Sequence, residues 1–522
     1  MENRMLLKRK CLQAMLAVMA LGAAQSVFAQ SSVANDGGIG NVNFRVECNS
    51  AAQSDFNVAM AYYYSYDWSK INSAVNRVLQ DDPTCGMAYW VRAMAALNNP
   101  FGWPASLPAS AMKDGPSALN EARKTGLKSQ RERDYVDALS VFFNNGDKID
   151  RHVRALALES AFEKLASDYP DDSEASVLYA MILSANSDPA DKQYIRELKA
   201  ASILESVRAK QPYHPGVLHY LIHSYDYPSL AERGLTAARL YAKIAPDAPH
   251  ALHMPSHIFT RLGLWDESIA SNRAAYAAAR SGTLQAFHFS DFMAYAYLQL
   301  GQVDAAREVL AQMRARPIVD DLGAAYPYAA VPARIAIATD SWKDAANLPL
   351  DPAADAYPWK KYPEAEAENA FARGIGAAMS GDPAKAREEV ARMILLRDAA
   401  TAMNLPYWAE QIDIQAEIVR GLAIFADGKH NEGIMVLGDA ADRQDATDKS
   451  AVTAGEIVSA REMLATLLMN SGKPADALTE FETVLEHEPN LRRAVVGAAR
   501  SAELAGNTMK AEKYADMLTN LK

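Results

Sequence analysis

Hydrophobic positions recur along this chain in a fixed order: a glycine or small-residue turn, then an aromatic or apolar residue, then alanine. The clearest unit lies near the C-terminus, where Gly472, Ala477, Phe481 and Pro489 take the offsets of a helix-turn-helix repeat. Alanine is plentiful and long β-branched runs are scarce, which favours helices over strands. The pattern predicts an all-α chain built from repeated helical hairpins.

The repeat is of the tetratricopeptide type, whose period is about 34 residues. The same frame recurs at Trp68 with Pro83, at Gly263, at Gly301, and more weakly at Gly381 and Gly428. Each unit consists of two amphipathic helices that cannot bury their apolar faces alone, so neighbouring units stack into a superhelix with a concave inner surface. We therefore predict a tetratricopeptide-type α-solenoid of stacked helical hairpins.

The repeat pattern is interrupted twice, at residues 98–104 and at residues 340–363, where proline and aromatic residues accumulate. A fresh run of helices is expected from Ala365 onward. These breaks predict an N-terminal helical-repeat domain over residues 30–350 and C-terminal tetratricopeptide repeats over residues 351–522.

The first thirty residues have the order of a secretion signal. Basic residues at positions 8–10 precede an apolar stretch from 12 to 24, and small residues follow as far as Ala29. We predict a signal peptide over residues 1–29, cleaved near Ala29–Gln30, and hence a periplasmic or secreted protein. The apolar stretch is shorter than the roughly 20 residues that cross a bilayer, so no membrane span is expected.

Charge narrows the set of partners. The formal net charge is −11, and removal of the four basic residues and one acidic residue of the signal makes it more negative. Because phosphate binding requires a basic face, nucleic acid is not an expected partner.

Two cysteines, Cys48 and Cys85, remain after cleavage. In an oxidising compartment two thiols are more often a disulfide than a reactive pair. The alternative is that Cys85 is a small buried residue in a helical interface and Cys48 lies on a loose N-terminal arm.

Seven of the ten histidines fall within 75 residues of one another, between His214 and His288. If Gly263 is position fifteen of its repeat, then His250, His253 and His257 take positions two, five and nine. These positions lie on one face of a helix.

The neighbouring repeats continue the pattern. The following repeat has His288, Asp291 and Tyr295 at positions two, five and nine, and the preceding repeat has His219 and His223 at five and nine. Such positions on the first helix line the concave surface of tetratricopeptide proteins, which implies one shared site.

Converging neutral imidazoles suit zinc, copper, iron or nickel, whereas calcium or magnesium would require more carboxylates. We expect four core ligands in two chelating pairs one helical turn apart, with three further residues that complete or orient them. The core ligands are His219, His223, His253 and His257, and the further residues are His250, His288 and Asp291.

Whether the metal is catalytic stays open. A metalloenzyme would need an open coordination position and a nearby acid or base, for which Asp226, Tyr225 and Tyr295 are the candidates. A glycine-rich phosphate loop, a Gly-x-Ser-x-Gly elbow and a His-Glu-x-x-His helix are all absent from the sequence. The hydrolase and nucleotide-binding classes that use these motifs therefore gain no support.

The alternative to a metal site is a polar groove that binds a peptide from an envelope partner, as in an adaptor protein. Arg261, one turn after His257, could orient an anion, although an ion pair with Asp266 or Glu267 is the interpretation we favour. The other histidines stand apart, because His214 precedes its helix and the rest are isolated. These isolated residues, expected to be solvated, are His152, His430 and His487.

Four stretches of the sequence resemble a widespread family of exported bacterial tetratricopeptide-repeat proteins. They are residues 82–90 (DPTCGMAYW), 214–220 (HPGVLHY), 224–228 (SYDYP) and 250–259 (HALHMPSHIF). The likeness runs from about Ser54 to about Leu350 and includes the histidines that the repeat frame selects. It implies an exported helical-repeat protein with a shared site at these histidines, and it implies no particular reaction.

Overall fold

The computed structural model describes residues 38–103, 107–146, 148–279 and 285–521. Within these ranges the chain forms helices and no strand. Helices that follow one another along the sequence pack as hairpins, and successive hairpins stack. The prediction of an all-α chain of stacked helical hairpins is confirmed, whereas the predicted signal peptide over residues 1–29 lies outside the described residues.

The N-terminal helices are α1 Ser50–Tyr64, α2 Trp68–Asp81, α3 Gly86–Ala96, α4 Ala111–Thr125, α5 Gln130–Phe143, α6 Arg151–Asp168, α7 Ser173–Ala185 and α8 Ile195–Lys210. The central helices are α9 Pro215–Tyr225, α10 Ala231–Ile244, α11 Pro249–His253, α12 Pro255–Arg261, α13 Trp265–Ala278, α14 Gln285–Gln299, α15 Val303–Arg314, α16 Leu322–Ala338 and α17 Trp342–Ala345. The C-terminal helices are α18 Pro363–Met379, α19 Pro383–Ala402, α20 Pro406–Ala426, α21 His430–Asp445, α22 Ala460–Asn470, α23 Pro474–His487, α24 Arg492–Leu504 and α25 Thr508–Asn520. Short 3-10 helices cover Pro100–Gly102 and Trp359–Lys361.

The turn between α12 and α13 shows why glycine is needed between the helices of a hairpin. Gly263 has a φ of 63°, in the left-handed region that glycine adopts without a steric cost. The N–H groups of Gly263 and Leu264 donate to the carbonyl oxygens of Thr260 and Phe259, at 3.1 and 2.8 Å, which ends α12. A Cβ atom here would lie 2.1 Å from the carbonyl oxygen of Pro489, so the same turn is a contact between distant repeats.

Three hydrophobic clusters form the core of the described residues. One extends from Phe44 to Phe259, a second from Phe287 to Ala477, and a third joins the middle of the chain to its end, from Trp265 to Leu521. The second cluster continues on both sides of residue 350. The division into domains at that residue stays a prediction.

A disulfide bond joins Cys48 to Cys85. The segment that carries Cys48 is not a loose arm, because Phe44 is fully buried and the N–H of Asn41 donates to the carbonyl oxygen of Tyr213. The disulfide therefore ties an ordered N-terminal segment to the start of α3.

A long connection between α21 and α22, residues 446–459, lies among the helices of the central repeats; we call it the inner loop. The backbone N–H of Asp448 donates to the carbonyl oxygen of Pro189, at 3.0 Å. The N–H of Ser450 donates to the hydroxyl of Tyr407, at 2.8 Å. Sequence near the C-terminus thus reaches the region of the histidines. Over the described residues, no helix has the length and hydrophobicity needed to cross a bilayer.

Candidate metal centre

Six histidines come together inside the described chain, and we call them the histidine cluster. They project from four consecutive first helices or half-helices, α9, α11, α12 and α14, as the repeat frame predicts. The cluster comprises His219, His223, His250, His253, His257 and His288. Five of the six are buried, and His288 is partly exposed.

The cluster divides into two groups, in each of which the candidate ligand atoms lie within 4.8 Å of one another. The first triad is His219, His223 and His250, and the second triad is His253, His257 and His288. This grouping differs from the four-histidine set expected from the sequence, since each expected chelating pair falls in a different triad and acquires a different third member. The two triads are nevertheless adjacent, with ring centroids of His223 and His257 6.0 Å apart.

Proline breaks the middle helix without turning the chain away from the cluster. Pro255 has no N–H to donate, so α11 ends and α12 begins at this point. Met254, between them, keeps right-handed helical angles of φ −50° and ψ −36°. His250, His253 and His257 therefore stay on the inner side of the repeat, although they lie on two short helices.

Hydrogen bonds fix the tautomers of two histidines of the second triad. His253 Nδ1 lies 2.7 Å from Asn272 Oδ1, and the amide of Asn272 is oriented because its Nδ2 donates to the carbonyl oxygen of Ser268. His257 Nδ1 lies 2.9 Å from Asp226 Oδ2. Both partners accept hydrogen bonds, so both Nδ1 atoms carry the proton and both Nε2 atoms present a lone pair.

Those two lone pairs face each other, because the Nε2 atoms of His253 and His257 are 3.0 Å apart. Two nitrogens bound to one zinc ion at 2.0–2.1 Å would lie about 2.8–3.4 Å apart, for bond angles between a right angle and a tetrahedral one. The spacing is therefore that of two ligands of one ion.

His288 is the third member of this triad, and the inner loop lies close to its ring, because His288 and Val452 line the same cavity. Burial lowers the pKa of His288 to about 3, and the backbone of Val452 opposes part of that shift. The inner loop thus lies beside a histidine that precedes it by more than 150 residues in the sequence.

Asp226 is held from two sides. Its carboxylate accepts from His257 and from Arg261 Nε, at 2.8 Å, while the Arg261 Nη2 atom donates to its backbone carbonyl. Burial raises the pKa of Asp226, but the charges of Lys449 and Arg261 outweigh burial and hold it well below its usual value. The expected pairing of Arg261 at its own helix end is wrong, because Glu267 pairs with Arg239 instead.

The first triad is held in a similar way at one ring. The Nδ1–H of His219 donates to the carbonyl oxygen of Tyr64, at 2.6 Å, so the Nε2 atom of this ring has a free lone pair. This Nε2 atom lies 3.1 Å from the Nε2 atom of His250. The ring of Phe101 stacks on His223, with centroids 3.7 Å apart and planes within 7°. Among the described residues, the buried Nε2 atom of His223 has no hydrogen-bond partner.

Burial is the largest influence on the pKa of every histidine in the cluster, and it lowers each one below the ordinary value; neighbouring histidines lower most of them further. The rings are therefore neutral near pH 7. Neutral imidazoles are the form that binds a metal ion.

Both triads open onto one cavity of about 410 Å³. His223 and His250 of the first triad line it together with His257 and His288 of the second. Aromatic and apolar side chains form much of the rest of its wall, among them Tyr66, Trp68, Phe101, Met254 and Leu322. The cavity gives a small molecule room to reach the imidazoles.

Asp291, expected beside the imidazoles, is instead in a buried ion pair. Its carboxylate oxygens accept from Arg334 Nε and Nη2, at 2.8 and 3.3 Å, and Arg334 also donates to the carbonyl oxygen of Gly455 in the inner loop. Tyr295 lies under the same guanidinium, 4.9 Å from its ring centroid. The next repeat therefore uses positions five and nine to hold the inner loop.

The remaining candidates lie in other surroundings. Tyr225 packs against Gly234 of α10, near the charge of Glu205. His214 begins α9, where its Nδ1 atom accepts from the N–H of Val217 and its Nε2 atom pairs with Glu174. The histidines expected to be solvated are exposed, namely His152, His430 and His487.

Four functional contacts were not expected from the sequence: the Tyr64 carbonyl, Asn272, Val452 and Lys449. Lys449 of the inner loop lowers the pKa of both His257 and His288 through its charge. Backbone acceptors leave no trace in side-chain patterns. Asn272 and Lys449 lie on a second helix and a loop, outside the first-helix frame that selects the histidines.

No protein-family model matches the chain, and no curated protein matches it significantly. Solved structures of repeat proteins do match over most of its length, and the three that follow do so at low similarity. The tetratricopeptide domain of P58(IPK) is 12% identical, covering 88% of this chain and 99% of that chain, with a TM-score of 0.22. Yeast Tom70 is 12% identical, covering 88% and 90%, with a TM-score of 0.30. Naa15/Naa10 bound to HypK-THB is 12% identical, covering 90% and 73%, with a TM-score of 0.25. At such scores these likenesses say nothing about the function of this chain.

Proposed function

We propose that this protein binds a transition-metal ion through the second triad, on the inner side of its central repeats. One observation carries the proposal: the two imidazoles whose Nε2 atoms face each other are both oriented by a fixed acceptor. These acceptors are Asn272 for His253 and Asp226 for His257. Metal-binding histidines almost always donate their second ring N–H in this way, which fixes the ring and strengthens the ligand.

The donor set favours zinc, copper or iron. Three neutral nitrogens without a bound carboxylate suit borderline ions, whereas magnesium and calcium prefer oxygen. Three protein ligands leave a coordination position open, as in catalytic zinc sites. In this protein that position would face the 410 Å³ cavity, where a small molecule could bind beside the metal.

The residues around the triad have separate roles in this proposal. Asp226 accepts a hydrogen bond from His257, which makes His257 a stronger ligand for the ion, and its negative charge compensates part of the charge of the ion. Arg261 holds Asp226 in place. Asp226 is thus a positioning residue for His257, while catalytic roles for Tyr225 and Tyr295 gain no support from their positions.

The peptide-binding adaptor remains the competing function, because a helical-repeat fold is widely used for such binding. The inner loop lines the same cavity as the histidine cluster, through Ala451 and Val452, which reduces the space for an extended peptide. A bound peptide would also leave the facing lone pairs of His253 and His257 without an explanation.

We further propose that the protein acts outside the cytoplasm, as a member of the exported family that it resembles. The disulfide between Cys48 and Cys85 supports this location, since such bonds persist in oxidising compartments. The basic and apolar order of residues 1–29 supports it as well.

Elemental analysis of protein exported to the periplasm tests the metal proposal. We expect bound zinc, copper or iron in the wild type and a strong decrease in His257→Ala. His152→Ala is the matched control, since this histidine is exposed, and should keep the metal. Metal-free wild type that stays metal-free after zinc or copper is added would contradict the proposal.

A further inference from the structure

We infer that the histidine cluster holds two ions, one in each triad, and that the pair forms a dinuclear centre facing the 410 Å³ cavity. The inference rests on the proposed function, which requires an ion only in the second triad. It assigns a role to three histidines that the single-ion site leaves unused.

The first triad contains the donors that an ion needs. The carbonyl oxygen of Tyr64 accepts a hydrogen bond from the Nδ1–H of His219, so Nε2 of that ring has a free lone pair. The Nε2 atom of His250 lies 3.1 Å away, within the range for two ligands of one ion. Candidate ligand atoms of all three residues, including His223, lie within 4.8 Å of one another.

Hydrogen bonding alone does not account for this arrangement. If His250 Nε2 carries a proton, it can donate to His219, and two of the three rings are satisfied. The Nε2 atom of His223 is then still buried with no partner in the described part of the chain. Buried polar atoms are nearly always paired, so an unpartnered nitrogen within a histidine triad indicates a ligand.

The two triads lie side by side, so ions bound in them would be neighbours. Ring centroids are 6.0 Å apart for His223 with His257 and also for His250 with His253. Dinuclear centres in proteins have ions about 3.5–4 Å apart. Two triads whose nearest rings are separated by this distance could hold ions at such a spacing.

Two adjacent cations repel each other, and Lys449 adds a positive charge that acts on His257 and His288, so carboxylates nearby are needed to compensate. Asp226 is buried against His257. The described residues that line the cavity include three carboxylates and one lysine, namely Asp67, Asp247, Asp321 and Lys70. This excess of negative charge attracts cations and lowers the cost of holding two.

The shape of the cavity indicates the kind of ligand the pair would bind. Its wall contains imidazoles from both triads together with the rings of Trp68 and Phe101. A small molecule with an oxygen donor that bridges both ions and an apolar or aromatic body fits this wall.

Zinc stoichiometry tests the inference. Metal-free full-length protein is loaded with Zn²⁺, separated from free ion and analysed. We expect about two ions per chain in the wild type, as two separate three-histidine sites require. His223→Ala and His250→Ala should each keep about one, and His430→Ala, at an exposed histidine, should keep both.

The outcomes separate the two proposals. One ion in the wild type that survives in His223→Ala and His250→Ala would overturn the dinuclear inference and leave the proposed function standing. One ion that is lost both in His223→Ala and in His257→Ala would also overturn it, because a single shared ion would then bridge the triads. No bound ion in the wild type would contradict both proposals.

Folding is checked independently of metal. Circular dichroism of each metal-free variant should match that of the metal-free wild type. His223→Ala removes a ring that stacks closely on Phe101, with centroids 3.7 Å apart, so His250→Ala provides a second first-triad variant. If His223→Ala fails to fold, the zinc content of His250→Ala decides between one ion and two.

Discussion

The Nε2 atoms of His253 and His257 lie 3.0 Å apart, although acceptors at Asn272 and Asp226 hold the proton of each ring on Nδ1. Two lone pairs at this distance repel each other in the metal-free protein. A cation between them removes that repulsion and replaces it with two bonds. Stability and metal occupancy should therefore be linked.

Metal should raise the stability of the folded protein by mass action. With free zinc or copper at 100 times its dissociation constant, the free energy of unfolding should rise by about 2.7 kcal/mol per site. Thermal unfolding with and without chelator measures the effect. In His288→Ala, the increase in the free energy of unfolding on metal addition should be smaller. If the unfolding temperature of the wild type changes with neither metal nor chelator, stability does not depend on metal occupancy and the prediction is wrong.

Removing the charge of Asp226 should weaken the metal site. In Asp226→Asn, His257 loses its ionised partner, and loss of such a partner typically reduces metal affinity about 10–100-fold. The unpaired Arg261 should also lower the free energy of unfolding by about 3–5 kcal/mol. Competition with a chelator gives the affinity, and Asp266→Asn, at an exposed carboxylate, is the control. Equal metal affinity in the two variants would rule out the positioning role of Asp226.

Asp291 should behave as a structural residue and not as a ligand. Asp291→Ala leaves Arg334 buried without its carboxylate, which should cost about 3–5 kcal/mol of unfolding free energy. Metal content of the folded fraction should stay at the wild-type level. A loss of metal with unchanged stability would instead support the ligand role expected from the sequence.

Glu368 should make stability depend on pH. Burial raises the pKa of its carboxyl from 4.5 to about 7, so the folded state holds this proton more tightly than the unfolded chain does. The stabilising contribution is complete below pH 4.5 and is lost as the pH rises toward 7. The loss should reach at most about 3 kcal/mol.

The Glu368→Gln variant provides the comparison, because its amide cannot ionise. Denaturant unfolding across this pH range should show a smaller decline for the variant than for the wild type. Glu388→Gln, at an exposed carboxylate, should keep the wild-type slope. Parallel curves for wild type and Glu368→Gln would show that the buried carboxyl does not titrate in this range.

The disulfide should stabilise the N-terminal segment. The bond closes a loop of 37 residues, and removing it in a Cys48→Ala, Cys85→Ala double variant should cost about 2–4 kcal/mol. Reductant should bring the wild type close to the variant and leave the variant unchanged. Mass spectrometry of exported protein without reductant should find the two cysteines linked, and two free thiols would contradict the pairing.

The repeat frame was sufficient to predict the fold and the convergence of the histidines. Helical periodicity decides which residues face inward, and His219, His223, His250, His253 and His257 all do. The same frame could not group them correctly. The grouping depends on the angle between neighbouring repeats and on the break at Pro255, neither of which the spacing of residues contains.

The repeat pattern also could not predict contacts between residues that are far apart in the sequence. Asp291 occupies the same repeat position as His253, yet the carboxylate of Asp291 forms an ion pair with Arg334 from the next repeat. Periodicity assigns a face to a side chain and says nothing about which charge across the interior will meet it. The position of the inner loop could not be predicted from the repeat pattern for a related reason. Irregular segments have no periodic arrangement of hydrophobic residues, and their backbone acceptors do not depend on which side chains are present.

Each unit of a solenoid contacts mainly its neighbours, so units far from a removed terminal repeat should be little affected. This chain is an exception, because Arg334, which is paired with Asp291 of the central repeats, donates to the carbonyl oxygen of Gly455 in the inner loop. A fragment that ends at residue 350 would contain all six imidazoles, yet Arg334 would lose the carbonyl oxygen of Gly455 and the cavity would lose Val452 from its wall. Shortening the chain from its C-terminal end should therefore disturb the histidine cluster long before it removes a histidine, so the repeats of this protein are not interchangeable modules.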